Sequence, residues 1–235
     1  TNQGISGGNS TAWNLLHSLA NEAVANDAAI EEMLDIPAFC DYLMINQFAY
    51  NTDWPHNNWR ATYNREGGGK WRFHMWDAEF GLRNLNGNHV DSFRGPPGSL
   101  FQKMLASPKF VSTFQDRAHR LLFNGGALTP QVNIDWVTEA AAKIYDAVMG
   151  ESARWSGSRS NWESRINNLR TNYFPQRTGI FINQLKAVGR YPNVDAPSFH
   201  INGSSQHGGI IDLGDSLTIH APSGTIYYPL HATAP

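Results

Sequence analysis

Four side chains between residues 53 and 79 carry oxygen atoms suited to chemistry with a divalent cation. Asp53 is followed five positions later by Asn58, and Asp77 and Glu79 come after a stretch that reads as a β-hairpin. Hard cations such as Mg²⁺ prefer carboxylate and amide oxygens, and a carboxylate can also take a proton from a hydroxyl group. These residue types therefore fit a site that holds a metal ion beside a reacting hydroxyl.

The order of these residues is typical of protein kinases. An Asp-x-x-x-x-Asn loop comes first, a short hairpin follows, and the run Trp76-Asp77-Ala78-Glu79-Phe80-Gly81 places an Asp before Phe-Gly. In kinases the first Asp is the base for the attacking hydroxyl, and the Asn and the second Asp hold Mg²⁺ against ATP. Spacing alone is not specific, because the His-Arg that precedes the loop in ordinary kinases is Asn51-Thr52 here.

Longer runs around these residues resemble the CotH family of atypical secreted or spore-coat kinases. The runs are DYLMINQFAYNTDWPHNNW, GKWRFHMWDAEFG, SLFQKMLASPKF and GESARW, and the resemblance covers residues 11 to 190. It implies transfer of the ATP γ-phosphoryl group to a protein Ser or Thr hydroxyl, with Mg²⁺, or Mn²⁺ in its place, as the cofactor. The implied roles are Asp53 as catalytic base, Asn58 and Asp77 as ligands that hold the metal and the nucleotide, and Glu79 as a further metal ligand.

Two assignments stay open within this resemblance. Asn57 is adjacent to Asn58 and could be the ligand in its place. Glu79 stands where we expect Asp or Asn in the family, and its longer side chain would either reach a second metal or pair with Arg72 or Arg83.

The hairpin should deliver the acidic residues to the site. Its predicted strands are Arg60 to Tyr63 and Lys70 to Met75, joined at Gly67-Gly68-Gly69. If the extended conformation continues past the second strand, Asp77 and Glu79 point to the same side. Asp77 lies between two aromatic residues, so we expect a shielded carboxylate that needs a cation or hydrogen bonds.

The elements around the hairpin are predicted to be helical, which gives an α+β, mostly α fold like the larger, C-terminal lobe of a kinase. The predicted helices cover residues 11–24 and 28–34, a segment capped by Asp35 that ends at the Asp53 loop, residues 100–105, segments starting at Ser107-Pro108 and Thr129-Pro130, and residues 161–172 and 175–188. Ser160 and Glu163 have the form of a capping box for the helix at 161. Residues 82–98, which include Asp91 and Arg94, read as a long surface loop where a kinase has its substrate-binding segment.

The predicted organisation is a flexible lead at residues 1–10, the kinase-like lobe at 11–190 and a β-rich tail at 191–235. The tail carries short β-type runs, SFHI, GIIDL, SLTIHA and TIYY, between turn formers. It resembles the opening strands of small β-sandwich modules that follow catalytic domains in secreted bacterial enzymes, so we expect a secreted or cell-surface bacterial protein. The chain starts at Thr1, and no Gly-x-Gly-x-x-Gly loop or strand lysine precedes residue 53, so we expect an ATP-clamping small lobe upstream.

Composition excludes several other classes. The formal net charge is −2 with scattered basic residues, which predicts no nucleic-acid binding, and no apolar run approaches the roughly 18 residues of a membrane span. The nine histidines and the single Cys40 show no zinc-ligand spacing, and Cys40 cannot form an intramolecular disulfide.

Two other functions remain as alternatives. The first is a pseudokinase or adhesion module that keeps the fold without turnover. The second is a carbohydrate-active enzyme that uses Asp53 with Asp77 or Glu79 as a carboxylate pair, which predicts an open cleft lined by Trp.

Overall fold

A computed structural model describes residues 4–66, 68–155 and 157–226, and the chain divides into two units, residues 1–191 and 192–235. Gly67 of the predicted hairpin turn lies outside the described residues. So do Tyr227 and Tyr228, which form half of the predicted last strand.

The first unit is mostly helical around one small hairpin, which confirms the predicted α+β, mostly α fold. Its helices are α1 (Thr11–Leu19), α2 (Asp27–Met33), α3 (Ile36–Ala49), α4 (Gly95–Met104), α5 (Pro108–Leu122), α6 (Pro130–Ile144), α7 (Ala147–Trp155), α8 (Arg159–Asn168) and α9 (Phe174–Ala187). A 3₁₀ turn (Ala20–Glu22) follows α1, and a π-helical turn (Leu169–Tyr173) joins α8 to α9. Strands β1 (Trp59–Tyr63) and β2 (Trp71–Met75) pair in antiparallel fashion.

Helix α3 is the central element, and it is apolar on almost every side. Asp35 caps its start by accepting a 3.2 Å hydrogen bond from the Ala38 amide, and a proline occupies the first turn. Its buried residues are Ile36, Phe39, Cys40, Tyr42, Leu43, Met44, Asn46, Gln47 and Phe48. A helix without a distinct polar face is typically buried by neighbouring elements on all sides. Ile45 is an exception, because it is 39% exposed.

The hairpin packs on α3 through its second strand. Phe73 is buried, and its ring centroid lies 4.7 Å from that of Phe39 and 5.5 Å from that of Tyr42. On the same face of β2, Trp71 is half-buried, whereas Met75 at the strand end is 39% exposed. The hairpin is therefore fixed to α3 at its centre, and its outer end is left free to carry exposed groups.

Three helix predictions need correction. Helix α4 begins at Gly95 rather than residue 100, because Pro96 and Pro97 occupy its first turn, where the missing N–H groups cost nothing. Helix α7 was not predicted. Helix α8 is capped by Ser158, whose hydroxyl accepts from the Asn161 amide at 3.1 Å, and not by the capping box at Ser160.

The carboxyl end of α3 has all four of its last carbonyl groups paired. The Asn46 carbonyl accepts from the amides of Tyr50 and Asn51. The carbonyls of Gln47 and Phe48 accept from the side chain of Arg177 in α9, at 3.0 and 2.7 Å.

The fourth carbonyl, that of Ala49, accepts from the Leu82 amide at 2.6 Å. Arg177 is completely buried, and a further bond from its guanidinium to the Leu85 carbonyl measures 2.9 Å. Burial lowers the pKa of Arg177, but the ordinary arginine value lies so high that the group stays charged. A buried cation is thus balanced by the negative end of a helix dipole and by carbonyl dipoles.

The second unit contains a three-stranded antiparallel sheet in the order β4-β3-β5. Its strands are β3 (Ser198–Ile201), β4 (Ser204–Ser205) and β5 (Leu217–His220). The predicted strand at residues 209–213 does not form, and Ile210 there is 94% exposed. The identification of this unit as part of a β-sandwich module stays a prediction.

None of the helices in the described ranges combines the length and the apolar character that crossing a lipid bilayer would require.

Replacing Arg177 should destabilise the first unit strongly. Arg177→Ala removes a donor from the buried carbonyls of Gln47 and Phe48 and from the partly buried carbonyl of Leu85, and it opens a cavity, so we expect the free energy of unfolding to fall by about 3–5 kcal/mol. Arg177→Lys, which cannot reach all three carbonyls, should lose an intermediate amount. Urea unfolding measures the change, with the exposed Arg170→Ala as matched control, expected to cost less than about 0.5 kcal/mol. Equal decreases in the free energy of unfolding for the two alanine variants would show that the hydrogen bonds of Arg177 do not stabilise the unit.

The stability of the first unit should fall in mild acid through His17. Burial, and then the nearby charge of Lys103, lower the pKa of His17 from 6.5 to about 4. Between these two values the unfolded chain takes up a proton that the folded chain excludes, so stability present above pH 6.5 is lost progressively toward pH 4. Urea unfolding at pH 7.5 and 5.0 should show a smaller acid loss for His17→Gln than for the wild type. His74→Gln, which changes an exposed histidine of the same unit, should keep the full acid loss.

Candidate functional site

The loop after α3 is anchored by two buried side chains on either side of Asp53. Asn51 is fully buried and donates to the Asn46 side chain at 3.2 Å. Trp54 is also fully buried, and its indole N–H donates to the Tyr42 hydroxyl at 2.7 Å. Burial raises the pKa of Tyr42, so that hydroxyl keeps its proton. With both neighbours fixed, Asp53 has a defined position at the surface.

The Asp53 carboxylate is held by two amide side chains. Asn57 donates to Oδ1 at 3.0 Å, and Asn58 donates to Oδ2 at 2.7 Å. His56 Nε2 lies 3.7 Å from Oδ1, which gives an ion pair whenever the imidazole is protonated. The side chain of Asp53 is 34% exposed, so a substrate hydroxyl has access to it.

Asn58 connects Asp53 to the segment after the hairpin. Its side-chain amide also donates to the backbone carbonyl of Asp77 at 3.1 Å. Asn58 and Asp77 both have positive φ, 53° and 50°, a conformation that Asn and Asp tolerate better than other non-glycine residues. Three residues that the sequence singled out thus meet. Asn57, the alternative to Asn58, contacts Asp53 but has no hydrogen bond to Asp77.

The surroundings of Asp77 differ from those expected. Its side chain is exposed, as are Trp76 at 55% and Phe80 at 38%, so the aromatic neighbours do not shield it. Since the carboxylate is solvated, its charge needs no cation to offset burial. Among the described residues it has no hydrogen bond or ion pair, and both oxygens are free to bind a ligand.

Glu79 also departs from the prediction. The extended conformation ends with Met75, and Glu79 lies in a turn, so the condition under which Asp77 and Glu79 would point to the same side is not met. Neither expected ion pair forms, because Arg72 binds Asp35 at 3.0 Å, and Arg83 donates to the backbone carbonyl of Glu79 and lies over the Phe80 ring.

The few oxygen ligands at this site suit a cation that takes most of its ligands from water or phosphate. No group of three or more His, Cys, Asp or Glu side chains is placed to hold a metal ion anywhere in residues 4–66, 68–155 and 157–226. Asn58 Oδ1 and the Asp77 carboxylate have no partner within the same ranges, and both are oxygens of the kind that Mg²⁺ binds. Mg²⁺ commonly takes one or two protein ligands and completes its shell with water and phosphate oxygens. The residues present therefore fit Mg²⁺ accompanied by a phosphate ligand.

A cleft of about 620 Å³ lies beside β1, and its lining includes Trp59, the residue that follows Asn58 in the sequence. Its aromatic lining residues are Trp13, Trp59, Tyr63 and Trp71. The indole rings of Trp13 and Trp59 are stacked with centroids 5.7 Å apart. Two arginines, Arg60 and Arg65, also line the cleft, and no described Asp or Glu does. The sequence indicated a Trp-lined cleft only for the carbohydrate alternative and did not indicate its position, although Trp59 and Tyr63 on one face of β1 are a signal for it.

The segment from Leu82 to Arg94 forms the predicted surface loop and is held to the helices along its length, whereas residues 95–98 of that prediction belong to α4. Arg177 binds the Leu85 carbonyl, as described above, and Gln184 donates to the carbonyls of Asn86 and Gly87 at 3.2 and 3.1 Å. Further along, Gln47 donates to the Val90 carbonyl at 3.3 Å, and Arg190 binds Asp91 at 3.1 Å. The segment is thus a preformed wall next to the Asp53 loop.

Comparison with known families gives one match. A family model described as CotH kinase protein matches residues 2–180, a range that contains the Asp53 loop, the hairpin and Asp77. No curated protein and no solved structure matches the chain.

Removing the Asn58 side chain should loosen the site. Asn58→Gly deletes both amide hydrogen bonds but suits the positive φ, so we expect about 1–2 kcal/mol of lost stability and faster amide exchange in residues 53–58. Asn58→Ala should cost about 1 kcal/mol more, because alanine is strained at this φ. Urea unfolding and hydrogen exchange measure the two effects. If the glycine variant has the stability and the amide exchange rates of the wild type, the hydrogen bonds of Asn58 to Asp53 and Asp77 do not hold the loop in place.

Proposed function

Since this chain belongs to the CotH kinase family, we propose that it transfers the γ-phosphoryl group of ATP to Ser or Thr hydroxyls of proteins, with Mg²⁺ as cofactor and Mn²⁺ as a substitute. The observation that carries the proposal is the Asn58 bridge. One amide side chain contacts the carboxylate that would take the proton and the backbone of the residue that would bind the metal. A catalytic base and a metal ligand held at one point are what phosphoryl transfer needs, because its catalysis consists mainly of positioning and charge stabilisation.

The reaction assigns a role to each residue. The acceptor hydroxyl approaches the half-exposed carboxylate of Asp53, which orients it and takes its proton. The oxygen then forms a bond to the γ-phosphorus, while the bond between that phosphorus and the β,γ-bridging oxygen breaks and ADP leaves. Asn57 and Asn58 donate to both oxygens of Asp53, so the carboxylate cannot rotate away from the acceptor.

Asn58 Oδ1 and the Asp77 carboxylate are the residues that would hold the cation. When bound, Mg²⁺ neutralises charge on the phosphate oxygens and fixes them for in-line attack. Glu79 could contribute a further oxygen only from the turn after Asp77, so we assign it a secondary role.

The aromatic cleft supports binding of the nucleotide base. Its volume of about 620 Å³ lies in the range of small-ligand pockets, and indole rings offer flat surfaces on which a purine can stack. Its two lining arginines favour an anionic ligand. We propose that adenine occupies this cleft, with its triphosphate directed toward Asn58.

The carbohydrate alternative predicts a cleft lined by Trp, and such a cleft exists. However, neither Asp53 nor Asp77 nor Glu79 lines it. A glycoside hydrolase needs its carboxylate pair on either side of the bound sugar, so this cleft lacks the groups for that chemistry. A secreted or cell-surface location, as expected from the sequence, remains part of the proposal.

Phosphoryl transfer by the full-length protein tests the proposal. With [γ-³²P]ATP, Mg²⁺ and a degenerate Ser/Thr peptide library, the wild type should label peptide. Asp77→Asn keeps the shape but weakens a metal ligand, and it should lower the rate by a factor on the order of 100 or more. Glu79→Gln should lower it less. Asp116→Asn, an exposed change on α5, serves as the matched control and should leave the rate unchanged.

Nucleotide binding and glycan hydrolysis assays separate the kinase proposal from the pseudokinase and carbohydrate-active alternatives. Mn²⁺-ATP binding without any transfer would overturn the catalytic claim and indicate a pseudokinase. Release of sugar from a glycan panel in EDTA, with no transfer, would favour the carbohydrate-active alternative.

A further inference from the structure

The wall beside the Asp53 loop presents two basic side chains at a small cavity. The cavity has a volume of about 380 Å³ and is formed by residues 88–94 with Val188. Arg94 is exposed, and His89 is half-buried with its ring 4.4 Å from that of Tyr50. Because the backbone on this side is pinned by Gln47, Gln184 and Arg190, the two side chains project from a rigid support.

Close backbone packing places this cavity next to the proposed base. Gly95 has a φ of 66°, and a Cβ atom there would lie 2.4 Å from the Pro55 carbonyl oxygen and 2.7 Å from the His56 Cα. The residue after Arg94 therefore touches the residue whose imidazole lies 3.7 Å from Asp53. Basic groups on the wall and the carboxylate of the loop belong to one continuous surface.

The positive charge of this surface is not balanced by the protein. Asp91 is the one acidic residue that lines the cavity, and Arg190 neutralises it. In the part of the chain that the structure describes, Arg94 has no carboxylate partner, and the ring nitrogens of His89 make no hydrogen bond. Burial, together with the charges of Arg177, His56 and Arg94, lowers the pKa of His89, so its imidazole is neutral at pH 7 and the positive charge at the cavity is that of Arg94.

We propose that Arg94 and His89 bind an anionic side chain of the protein substrate, close in sequence to the hydroxyl that Asp53 activates. This inference rests on the proposed function and adds the class of substrate: peptides in which a carboxylate or a phosphate flanks the acceptor Ser or Thr. Arg94 is the main contact, since a guanidinium binds both kinds of anion through paired N–H donors. His89 donates an N–H from the same cavity.

The first turn of α4 does not supply the donors. Pro96 and Pro97 have no N–H groups, so the helix start offers few donors to an anion, and recognition depends on the two side chains. An extended peptide advances about 3.3 Å per residue. The Cα atom of a residue one to three positions from the acceptor would therefore lie roughly 3–10 Å from the Cα atom of the acceptor.

Peptide binding tests the inference without requiring catalysis. Three fluorescein-labelled nine-residue peptides share a central Ser in an Ala/Gly background and carry Glu, phosphoserine or Gln at the flanking positions. Fluorescence anisotropy with the full-length protein and a non-hydrolysable ATP analogue should show the Glu or phosphoserine peptide binding about tenfold more tightly than the Gln peptide. Arg94→Gln should abolish this preference and leave affinity for the Gln peptide unchanged. Arg120→Gln, which removes an exposed arginine from α5, should retain it.

The outcomes separate this inference from the proposed function. If the phosphoserine peptide binds more tightly than the Glu peptide, the preferred anion is a phosphate. If the two bind equally well and both bind more tightly than the Gln peptide, the cavity accepts either a carboxylate or a phosphate. Both results support the inference. Labelling of the Gln peptide as fast as the Glu and phosphoserine peptides, with no difference in affinity, overturns the inference and leaves the kinase function standing. Arg94-dependent binding with no transfer to any peptide supports the surface and overturns the function. Weaker ATP-analogue binding by Arg94→Gln, with peptide preference intact, overturns the inference because the arginine then serves the nucleotide.

Discussion

The last turn of an α-helix exposes four carbonyl groups that must find partners, and in this protein the partners of α3 set the geometry of the site. The amides of Tyr50 and Asn51 turn the chain into the Asp53 loop, and the amide of Leu82 brings back the segment that carries Asp77. Arg177 supplies the remaining donors and extends to the wall at Leu85. The Asp53 loop, the segment that follows Asp77 and the wall are therefore joined at one helix end, although they are far apart in sequence.

Above this helix end the site changes from buried to solvated. Asn51 and Trp54 have no exposed surface, whereas Asp77 lies in water with both carboxylate oxygens unpartnered. The protein can therefore hold these oxygens in place without bearing the desolvation cost of a buried carboxylate. The cost appears instead in the backbone, where Asn58 and Asp77 adopt positive φ values that hydrogen bonds must maintain.

The sequence predicted those features that depend on local signals. Asp35 and Pro37 marked the start of α3, Ser107-Pro108 marked the start of α5, and alternation marked the hairpin, because caps, first-turn prolines and strand periodicity act within a few residues. The kinase-like order of Asp53, Asn58 and Asp77 was likewise readable, and the structure brings these residues together.

What the sequence did not predict depends on contacts between distant segments. No residue near Arg177 in the sequence indicates that it binds carbonyls at the end of α3. The turn-forming residues of segment 82–94 likewise give no sign that helices hold this segment by hydrogen bonds. The same holds for Glu79, since alternation says nothing about where a strand stops. The aromatic cleft combines residues from α1 and both strands, so only the folded chain makes it visible.

The hydrogen bonds between Arg177 and the end of α3 also bear on how the site assembles during translation. Arg177 and Phe48 are 129 positions apart. At an elongation rate of about 5–20 residues per second, the ribosome adds these residues in roughly 6–26 seconds. During that interval the carbonyls of Gln47 and Phe48 lack the donors that Arg177 supplies. A nascent chain thus contains Asp53, Asn58 and Asp77 before it contains the helix that completes the hydrogen bonding at the end of α3.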